Sequence, residues 1–367
     1  MAEPRVLLTP LALRCGATLR NRVALAPLTN QQSHDDGSLS DDERAWLVRR
    51  AAGGFGLVET CASHVNPTAK GFDGQLGIYD DRLLPGLRRL AGEIADEGGL
   101  GLVQLYHGGV RSPSRLTGVQ PLSASAFDED RPGFERPRPA TDAELRAIID
   151  DFAAAARRAE AAGFAGVEVH GAHGYLFSQF LSRAMNTRDD AWGGDLEGRV
   201  RLLREATRAV RQATRAGFIV GVRLSPEDFG FARGLDLDES LQVAAWLAED
   251  GVDFVHLSLW DVRKPTQKYP TEHPLPLFRE RLPADVKIVV AGKVWTADEA
   301  ELVLEAGADV VALGRAAILN PDWPKQVAAD PGFAPVRGPL TPAELRAQAI
   351  SDSFVDYLRR FRDVVAD

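Results

Sequence analysis

Residues 163–175 read Gly-Phe-Ala-Gly-Val-Glu-Val-His-Gly-Ala-His-Gly-Tyr. The first glycine stands where a helix ends, and the apolar residues after it are typical of a short buried strand. Just past that strand come His170, His173 and Tyr175, three side chains that can donate or transfer protons, on a backbone that two glycines make pliable. In an α/β protein, functional sites are built at the carboxyl ends of such strands.

The same unit of a helix, a closing glycine and a short apolar strand recurs along the chain. The closing glycines are Gly53, Gly98, Gly163, Gly217, Gly251 and Gly307, and the predicted strands are 23–26, 55–60, 100–106, 165–169, 218–224, 252–259, 287–291 and 309–313. Near-continuous apolar strands are typical of a parallel sheet that is covered on both faces. Eight of them favour a closed (β/α)₈ barrel, the TIM barrel, over an open doubly wound sheet, and no Gly-x-Gly-x-x-Gly turn opens the first unit to support the open sheet.

Three segments lie outside this repeat, and we expect all of them to belong to one domain over residues 1–367. Residues 5–21 alternate apolar runs with turn residues and predict a small hairpin before the first barrel strand. The irregular stretch 108–140 lies between strand three and its helix, and a loop of this length in a compact barrel is usually functional, so we interpret it as a lid over the site. Residues 341–363 predict one more amphipathic helix.

Composition excludes several classes of function. The formal net charge is −9, with acidic and basic residues interspersed, which argues against nucleic acid or an anionic membrane surface as a partner. Cys15 and Cys61 are the only cysteines, so neither an iron–sulfur cluster nor a cysteine zinc site can be assembled. So few cysteines, and no apolar run of about 20 residues, predict a cytoplasmic protein without a membrane span.

Residues with polar side chains, or glycines with accessible backbone N–H groups, stand where most of the predicted strands end. The carboxyl ends of parallel strands share one face of a barrel. These residues are Thr29, Glu59, Thr60, Gln104, His107, His170, Arg223, Gly292, Lys293, Gly314 and Arg315. Strands seven and eight end in Val-Val-Ala-Gly-Lys and Val-Ala-Leu-Gly-Arg, so a glycine and a cation follow each of them. Those two loops are the usual phosphate position in such barrels, because bare backbone N–H groups can approach an anion there.

Arg223 lies within an otherwise apolar run, where its charge is costly unless it meets an anion or an electron-rich partner. A reduced flavin is such a partner, and the amide of Gln104 suits the pyrimidine edge of the same ring. A metal site is a minor alternative, because His170 and His173 have an acceptable spacing but lack a third protein ligand. Glu168 is expected to point the opposite way to His170 if the strand continues.

In its motifs and their order, the chain resembles the old yellow enzyme family, the flavin mononucleotide (FMN)-dependent ene-reductases, over nearly its whole length. The residues that carry the resemblance are Asn21-Arg22-Val23, Ala26-Pro27-Leu28-Thr29, Val103-Gln104-Leu105-Tyr106-His107, His170-Gly-Ala-His-Gly-Tyr-Leu176, Gln179-Phe180-Leu181-Ser182, Asn186-Thr187-Arg188, Gly221-Val222-Arg223-Leu224-Ser225 and Leu313-Gly314-Arg315. Any one of these motifs is weak evidence, but the ordered set is specific.

The resemblance implies a (β/α)₈ barrel closed at the bottom by a short hairpin, with bound FMN that NAD(P)H reduces. By similarity, the flavin is held by Pro27, Leu28, Thr29, Thr60, Gln104 and Arg223, and its phosphate by Gly292, Gly314 and Arg315. His170 and His173 would bind the activating oxygen of an electron-poor alkene such as an enone, enal, maleimide or nitroalkene. Hydride would pass from the flavin to the β-carbon, Tyr175 would give a proton to the α-carbon, and Tyr106 would face the substrate.

Other functions stay open at this point. An FMN-dependent dehydrogenase, desaturase or isomerase of a pathway-specific small molecule would use the same fold and cofactor. A metal-dependent hydrolase would use His170 and His173 as ligands, and a non-catalytic flavin store would need no proton donor. The terminal helix carries Arg359, Arg360 and Arg362, which either reach a second subunit in a homo-oligomer or form a solvated face.

Overall fold

The computed structural model describes residues 5–366 and shows eight parallel strands closed into a barrel. In chain order, strands one to eight are Val23–Leu25, Leu57–His64, Leu100–Tyr106, Gly166–Gly171, Ile219–Leu224, Phe254–Ser258, Lys287–Ala291 and Val310–Leu313. Each strand pairs with the next, and strand eight closes the ring on strand one, where Leu313 lies opposite Leu25. The closed ring confirms the predicted (β/α)₈ barrel over the open sheet.

Helices cover the outside of the barrel, and most begin where a polar side chain caps the first turn. They are Asp41–Ala52, Leu84–Asp96, Asp142–Ala162, Leu176–Leu181, Leu196–Ala213, Leu237–Glu249, Pro274–Arg281, Ala297–Glu305, Arg315–Leu319 and Trp323–Ala329. Thr141 and Glu144 form a reciprocal capping box, as their spacing predicts. Ser40 and Glu43 have the same spacing at the start of the helix Asp41–Ala52, but only half of a capping box forms there. Ser40 accepts from the Glu43 N–H, whereas the Glu43 carboxylate turns inward and accepts from the buried Asn30 amide. Within the described residues, no helix has both the length and the apolar character needed to cross a membrane.

The predicted N-terminal hairpin forms from an antiparallel pair of short strands, Leu11–Ala12 and Thr18–Leu19, after the 3₁₀ turn Val6–Leu8. Its leucines pack into the amino end of the barrel. There they meet the inward-facing residues Ala24, Leu57, Leu102, Ile219, Phe254, Val289 and Val310. Because side chains alternate between the two faces of a strand, these residues form one apolar layer inside the barrel. The hairpin therefore closes the bottom of the barrel, as predicted.

The stretch 108–140 carries short elements of its own at the carboxyl end of the barrel. They are the 3₁₀ turn Gly109–Arg111, the helix Ser114–Thr117 and the parallel strand pair Leu122–Ser123 and Arg138–Pro139. Gln179 fastens the stretch to the segment after strand four: its side-chain oxygen accepts from the Val110 N–H at 3.2 Å and the Ser123 hydroxyl at 2.9 Å. The stretch thus lies beside the segment that follows strand four, as expected for a lid over the strand ends. Whether it opens and closes stays a prediction.

The single helix predicted over 341–363 is wrong, because the structure has two short helices there. These are Pro342–Ala347 and Asp352–Leu358. Between them, Ala349 has a left-handed φ of 61°, which ends the first helix. Ser351 then caps the second by accepting from the Phe354 N–H. The apolar periodicity runs through this break, so periodicity alone could not reveal it.

Candidate active site

The three side chains that follow strand four come together at the carboxyl end of the barrel. The ring centroids of His170 and His173 lie 5.0 Å apart, and the Tyr175 ring lies 4.9 Å from His170 and 6.4 Å from His173. The turn that does this has left-handed backbone at His173 and Gly174, with φ of 62° and 72°. A Cβ on Gly174 would lie 2.5 Å from the Phe231 carbonyl oxygen, so the close approach of the two chains requires glycine there.

Both imidazoles are uncharged at neutral pH. Nδ1 of His170 accepts a hydrogen bond from the Ala172 N–H at 3.2 Å, which leaves Nε2–H as the donor of that ring. Burial, and then the positive charge of Arg223, lower the pKa of His170 and that of His173 well below the usual value of about 6.5. The pair therefore offers hydrogen-bond donors that carry no charge of their own.

Ser258, the last residue of strand six, holds His173. Its Oγ lies 2.6 Å from Nε2 of His173 and accepts a hydrogen bond from Nη2 of Arg223 at 3.2 Å. The backbone N–H of His173 also donates to the Ser225 hydroxyl at 3.0 Å. Sequence reasoning missed Ser258, although a signal existed: it ends the apolar run of strand six as His170 ends that of strand four.

Tyr106 lies beneath Tyr175. The two ring centroids are 4.6 Å apart, and the Tyr106 ring is fully buried. Its hydroxyl lies against Gly71 and Gly108 and has no hydrogen-bond partner among the described residues. Tyr106 therefore adjoins the site through the rings of Tyr175 and, at 6.0 Å between centroids, His170. Its predicted contact with substrate stays a prediction.

Arg111, from the stretch 108–140, contacts two residues of the group. Its guanidinium carbon is 4.3 Å from the centre of the Tyr175 ring, and its Nη1 donates to the His173 carbonyl oxygen at 3.0 Å. A cation over an aromatic ring is attracted by the negative face of that ring. No sequence pattern pointed to Arg111, because its position depends on how the long stretch folds back over the barrel.

A cavity of about 220 Å³ opens at the ends of strands seven and eight. Its lining includes three cationic side chains, Arg223, Lys293 and Arg315, together with Gly292 and Gly314. The Nε of Arg223 is buried and has no hydrogen-bond partner among the described residues. Cations and bare glycine backbone around one small cavity suit an anionic group, so the structure brings together the residues predicted to hold a phosphate.

A larger cavity of about 690 Å³ adjoins the first and shares Leu28, Lys293 and Arg315 with it. Thr29 lines this second cavity beside Leu28, and Pro27 is buried behind them. The opposite side is formed by the C-terminal helix and the residues after it, namely Phe354, Tyr357, Leu358, Arg360, Phe361, Arg362 and Asp363. The predicted residues after strand one therefore lie at the mouth, whereas the contribution of the C-terminal segment to this cavity was not predicted.

Thr60 and Gln104 lie deeper, side by side on strands two and three. Thr60 stands in a β-bulge, where its hydroxyl accepts from the Gln104 N–H at 3.2 Å and donates to the Cys61 carbonyl oxygen at 2.9 Å. That hydroxyl is therefore engaged within the sheet. The side-chain amide of Gln104 donates through Nε2 to Oε1 of Glu168 at 2.6 Å.

The expectation that Glu168 points away from His170 is wrong, because residues two apart on a strand share a face. Oε2 of Glu168 lies 2.7 Å from Nδ1 of His256, a buried residue of strand six that the sequence reasoning overlooked. Among residues 5–366, the one group of three side chains arranged like metal ligands is Glu59, Glu168 and His256, and it includes neither His170 nor His173. The metal-hydrolase alternative therefore finds no three-ligand site at the two histidines.

Comparison with known proteins places this geometry in a family. The NADH:flavin oxidoreductase / NADH oxidase family matches the chain over residues 6–331. The chain belongs to this family. A probable NADH-dependent flavin oxidoreductase of Bacillus subtilis (strain 168), YqiG, is 36% identical over 329 residues, which are 88% of this chain and 87% of that protein.

Further family members extend the comparison. An NADH:fumarate oxidoreductase of Klebsiella pneumoniae (strain 342) is 35% identical over 340 residues, which are 90% of this chain but 36% of that longer protein. The solved structure of an old yellow enzyme homologue from Zymomonas mobilis has a TM-score of 0.81 at 26% identity and covers 95% of this chain and 99% of its own. The resemblance to the old yellow enzymes is thus confirmed.

Family membership makes the chain an FMN-dependent oxidoreductase that takes electrons from NAD(P)H. The residues of the site fit this cofactor. The cavity with three cations suits the phosphate. The buried Nε of Arg223, which has no partner within residues 5–366, suits an acceptor atom on the ring.

Proposed function

We propose that this family member reduces the C=C bond of an electron-poor alkene, such as an enone, enal, maleimide or nitroalkene, with NAD(P)H as the electron donor. The observation that carries the proposal is the group of two neutral imidazoles and one phenol beside the cation-lined cavity. FMN, when bound, would supply the redox chemistry, namely hydride transfer from NAD(P)H to the β-carbon of the alkene. Fumarate, for which one relative is named, is an alkene conjugated to carboxyl groups.

The residues that would hold FMN form two sets. The ring would be held by Pro27, Leu28, Thr29, Thr60, Gln104 and Arg223, and the phosphate by Gly292, Gly314 and Arg315, to which the cavity lining adds Lys293. Thr60 would contribute through its backbone, because its hydroxyl is engaged within the sheet. Arg223 has an unpartnered Nε, so it can donate to the ring without breaking its contact with Ser258.

His170 and His173 would bind the oxygen atom that activates the alkene. Nε2–H of His170 is free to donate because its Nδ1 is already an acceptor. His173 would exchange its 2.6 Å contact with Ser258 for the substrate oxygen. Negative charge grows on that oxygen when hydride reaches the β-carbon, and fixed donors in a buried site stabilise it, typically by about 3–4 kcal/mol for each donor.

Tyr175 would deliver the proton to the α-carbon. A phenol is a suitable acid for a carbon that needs a proton only once negative charge has built up there. The ring contacts both Tyr106, at 4.6 Å between centroids, and the Arg111 guanidinium, at 4.3 Å, so packing restricts the direction of its hydroxyl. Because Arg111 belongs to the stretch 108–140 and also binds the His173 carbonyl oxygen, closure of this proposed lid would complete the site.

The test is the fate of the alkene in heavy water. With purified protein, NADPH and cyclohexenone in D₂O, we expect cyclohexanone with one deuterium at the α-carbon and none from solvent at the β-carbon. Tyr175→Phe should slow product formation, whereas Tyr269→Phe, which removes a surface phenol bonded to Asp238, should not. Consumption of NADPH without any saturated product from enones, maleimides or nitroalkenes would contradict the proposal. Net formation of the enone from the ketone would favour the dehydrogenase alternative.

A further inference from the structure

Next to Gln104 and Arg223, two residues proposed to hold the flavin, lies a buried polar layer that none of the roles above uses. Glu59, Glu168 and His256 are each at most 1% exposed, and a ligand atom from each lies within 4.8 Å of the others. They come from strands two, four and six, the alternating arrangement by which side chains fill one layer of such a barrel. The residues two positions earlier on strands two and six are Leu57 and Phe254, in the apolar layer, so the cluster is sealed from below.

The hydrogen bonds of this layer are unequally distributed. Glu168 uses both oxygens, one toward Nε2 of Gln104 at 2.6 Å and the other toward Nδ1 of His256 at 2.7 Å. No donor among the described residues gives a hydrogen bond to either oxygen of Glu59. A buried carboxylate needs donors, and a second one beside it raises the electrostatic cost further. Glu168 is therefore the ionised carboxyl, and Glu59 is the one that keeps a proton.

The electrostatics agree with this division. Burial and the neighbouring Glu168 raise the pKa of Glu59 well above its usual range. Burial acts on Glu168 in the same direction, but His256, Arg223 and the Gln104 amide outweigh it and lower the pKa of that carboxyl. Arg223 thus faces one negative charge in this layer instead of two. Its positive charge is therefore not fully compensated and can also attract an anionic ligand.

Glu168 also decides how the Gln104 amide is turned. An ionised carboxylate is acceptor-only, so the atom that Gln104 presents to it at 2.6 Å must be the NH₂ group. The amide carbonyl oxygen is then the atom left for the other side, where it can accept a hydrogen bond from a ring N–H. If Glu168 lost its charge, the amide could rotate and present its NH₂ group there instead.

We propose that Glu168 is a positioning residue that turns the Gln104 carbonyl toward the cofactor, and that the protonated Glu59 beside it keeps the buried layer at one negative charge. The first half rests on the proposed role of Gln104 in holding the flavin. A bound metal ion is the competing occupant of the three groups. Two features favour a proton on Glu59 over a bound metal ion. Both oxygens of Glu168 already accept hydrogen bonds, and the Arg223 cation is close to both carboxyls.

Two isosteric variants test the proposal, because glutamine matches a protonated glutamate and not an ionised one. Glu59→Gln should bind FMN within about two-fold of wild type and leave the midpoint potential of the bound FMN unchanged. Glu168→Gln should weaken FMN binding roughly ten-fold. It should also shift that potential to more positive values, because a negative charge next to Gln104 and Arg223 is removed. In a Gln104→Ala background, Glu168→Gln should weaken FMN binding little further.

Infrared spectroscopy of the protein alone tests the proton and needs no cofactor. We expect a protonated-carboxyl C=O band at neutral pH that loses the Glu59 component in Glu59→Gln. This result does not depend on whether Glu168→Gln folds. A carboxyl C=O band that is the same in wild type and Glu59→Gln, equal effects of the two variants on FMN binding, or one equivalent of metal in the purified protein would overturn the proposal. Failure of the wild-type protein to bind FMN would instead count against the proposed function and leave the infrared result standing.

Discussion

The lower and upper halves of the barrel interior are built from the same strands but differ in chemistry. In the lower half, Leu57, Leu102 and Phe254 pack with the leucines of the hairpin into an apolar layer. Two residues further along the same strands stand Glu59, Gln104 and His256. Residues two apart on a strand point to the same side, so one strand places an apolar residue in the lower half and a polar residue above it. The lower residues contribute to stability and the upper ones to the site. Substitutions in the two halves should thus fail in different ways.

The largest effect is expected at the top of the upper half. Tyr175→Phe should slow the reoxidation of reduced enzyme by an enone by about 10²–10⁴-fold, the usual contribution of a positioned acid. Reduction by NADPH should change little, because that step requires no proton from the phenol. Stopped-flow absorbance of the two half-reactions measures both rates. Equal reoxidation rates for wild type and variant with every alkene tested would remove Tyr175 from its proposed role.

In the lower half we expect substitutions to lower the free energy of unfolding without abolishing alkene reduction. The Phe254 ring lies over Gly221, where a Cβ would come within 2.0 Å of it, so the ring fills its space closely. Phe254→Ala should therefore lower the free energy of unfolding by about 3–5 kcal/mol. Phe254→Leu, the matched control, should cost less because more of the volume is kept. Urea unfolding measures both; a variant of normal stability that fails to turn over alkenes would contradict the division between the halves.

The buried histidines predict a pH effect on stability. Burial lowers the pKa of His64 to about 4 and that of His107 to about 3. The unfolded chain protonates its histidines at about pH 6.5, so stability that is present above this pH is lost as the pH falls toward 4. The loss at pH 4 should reach about 3 kcal/mol for each of these two histidines. The protonated Glu59 acts in the opposite direction, because its raised pKa favours the folded state as the pH falls from neutral.

Unfolding experiments between pH 7 and pH 4 would measure this dependence. His107→Asn should reduce the slope, because it removes one group that the unfolded state protonates and the folded state does not. The same slope in wild type and His107→Asn would show that His107 is not held neutral inside the fold.

The smallest effect is expected on the outside of the barrel. Thr141→Ala removes the side-chain half of a capping box and should cost about 1 kcal/mol of stability. Alkene reduction should be unchanged, because this helix starts on the surface. Thr141→Ser keeps the capping hydroxyl and should restore the melting temperature. A change in FMN affinity in Thr141→Ala would contradict this expectation and show that the start of this helix is energetically coupled to the cavities at the strand ends.

Sequence reasoning predicted the fold and the strand-end residues for the same reason. Each closing glycine and apolar run marks one strand, and a parallel barrel places all the strand ends on one face, which is why the sequence alone could group His170, Arg223 and Gly314. Residues that reach the site from elsewhere could not be grouped in this way. Arg111 depends on the path of a long loop, and the break at Ala349 depends on local backbone that the apolar period does not report.

One spectrum tests the central claim most directly. Purified protein should show the absorbance bands of oxidised flavin, lose them when NADPH is added without oxygen, and regain them when cyclohexenone or a maleimide follows. A colourless protein that takes up no FMN on reconstitution, or a reduced flavin that no electron-poor alkene reoxidises, would contradict the proposed function.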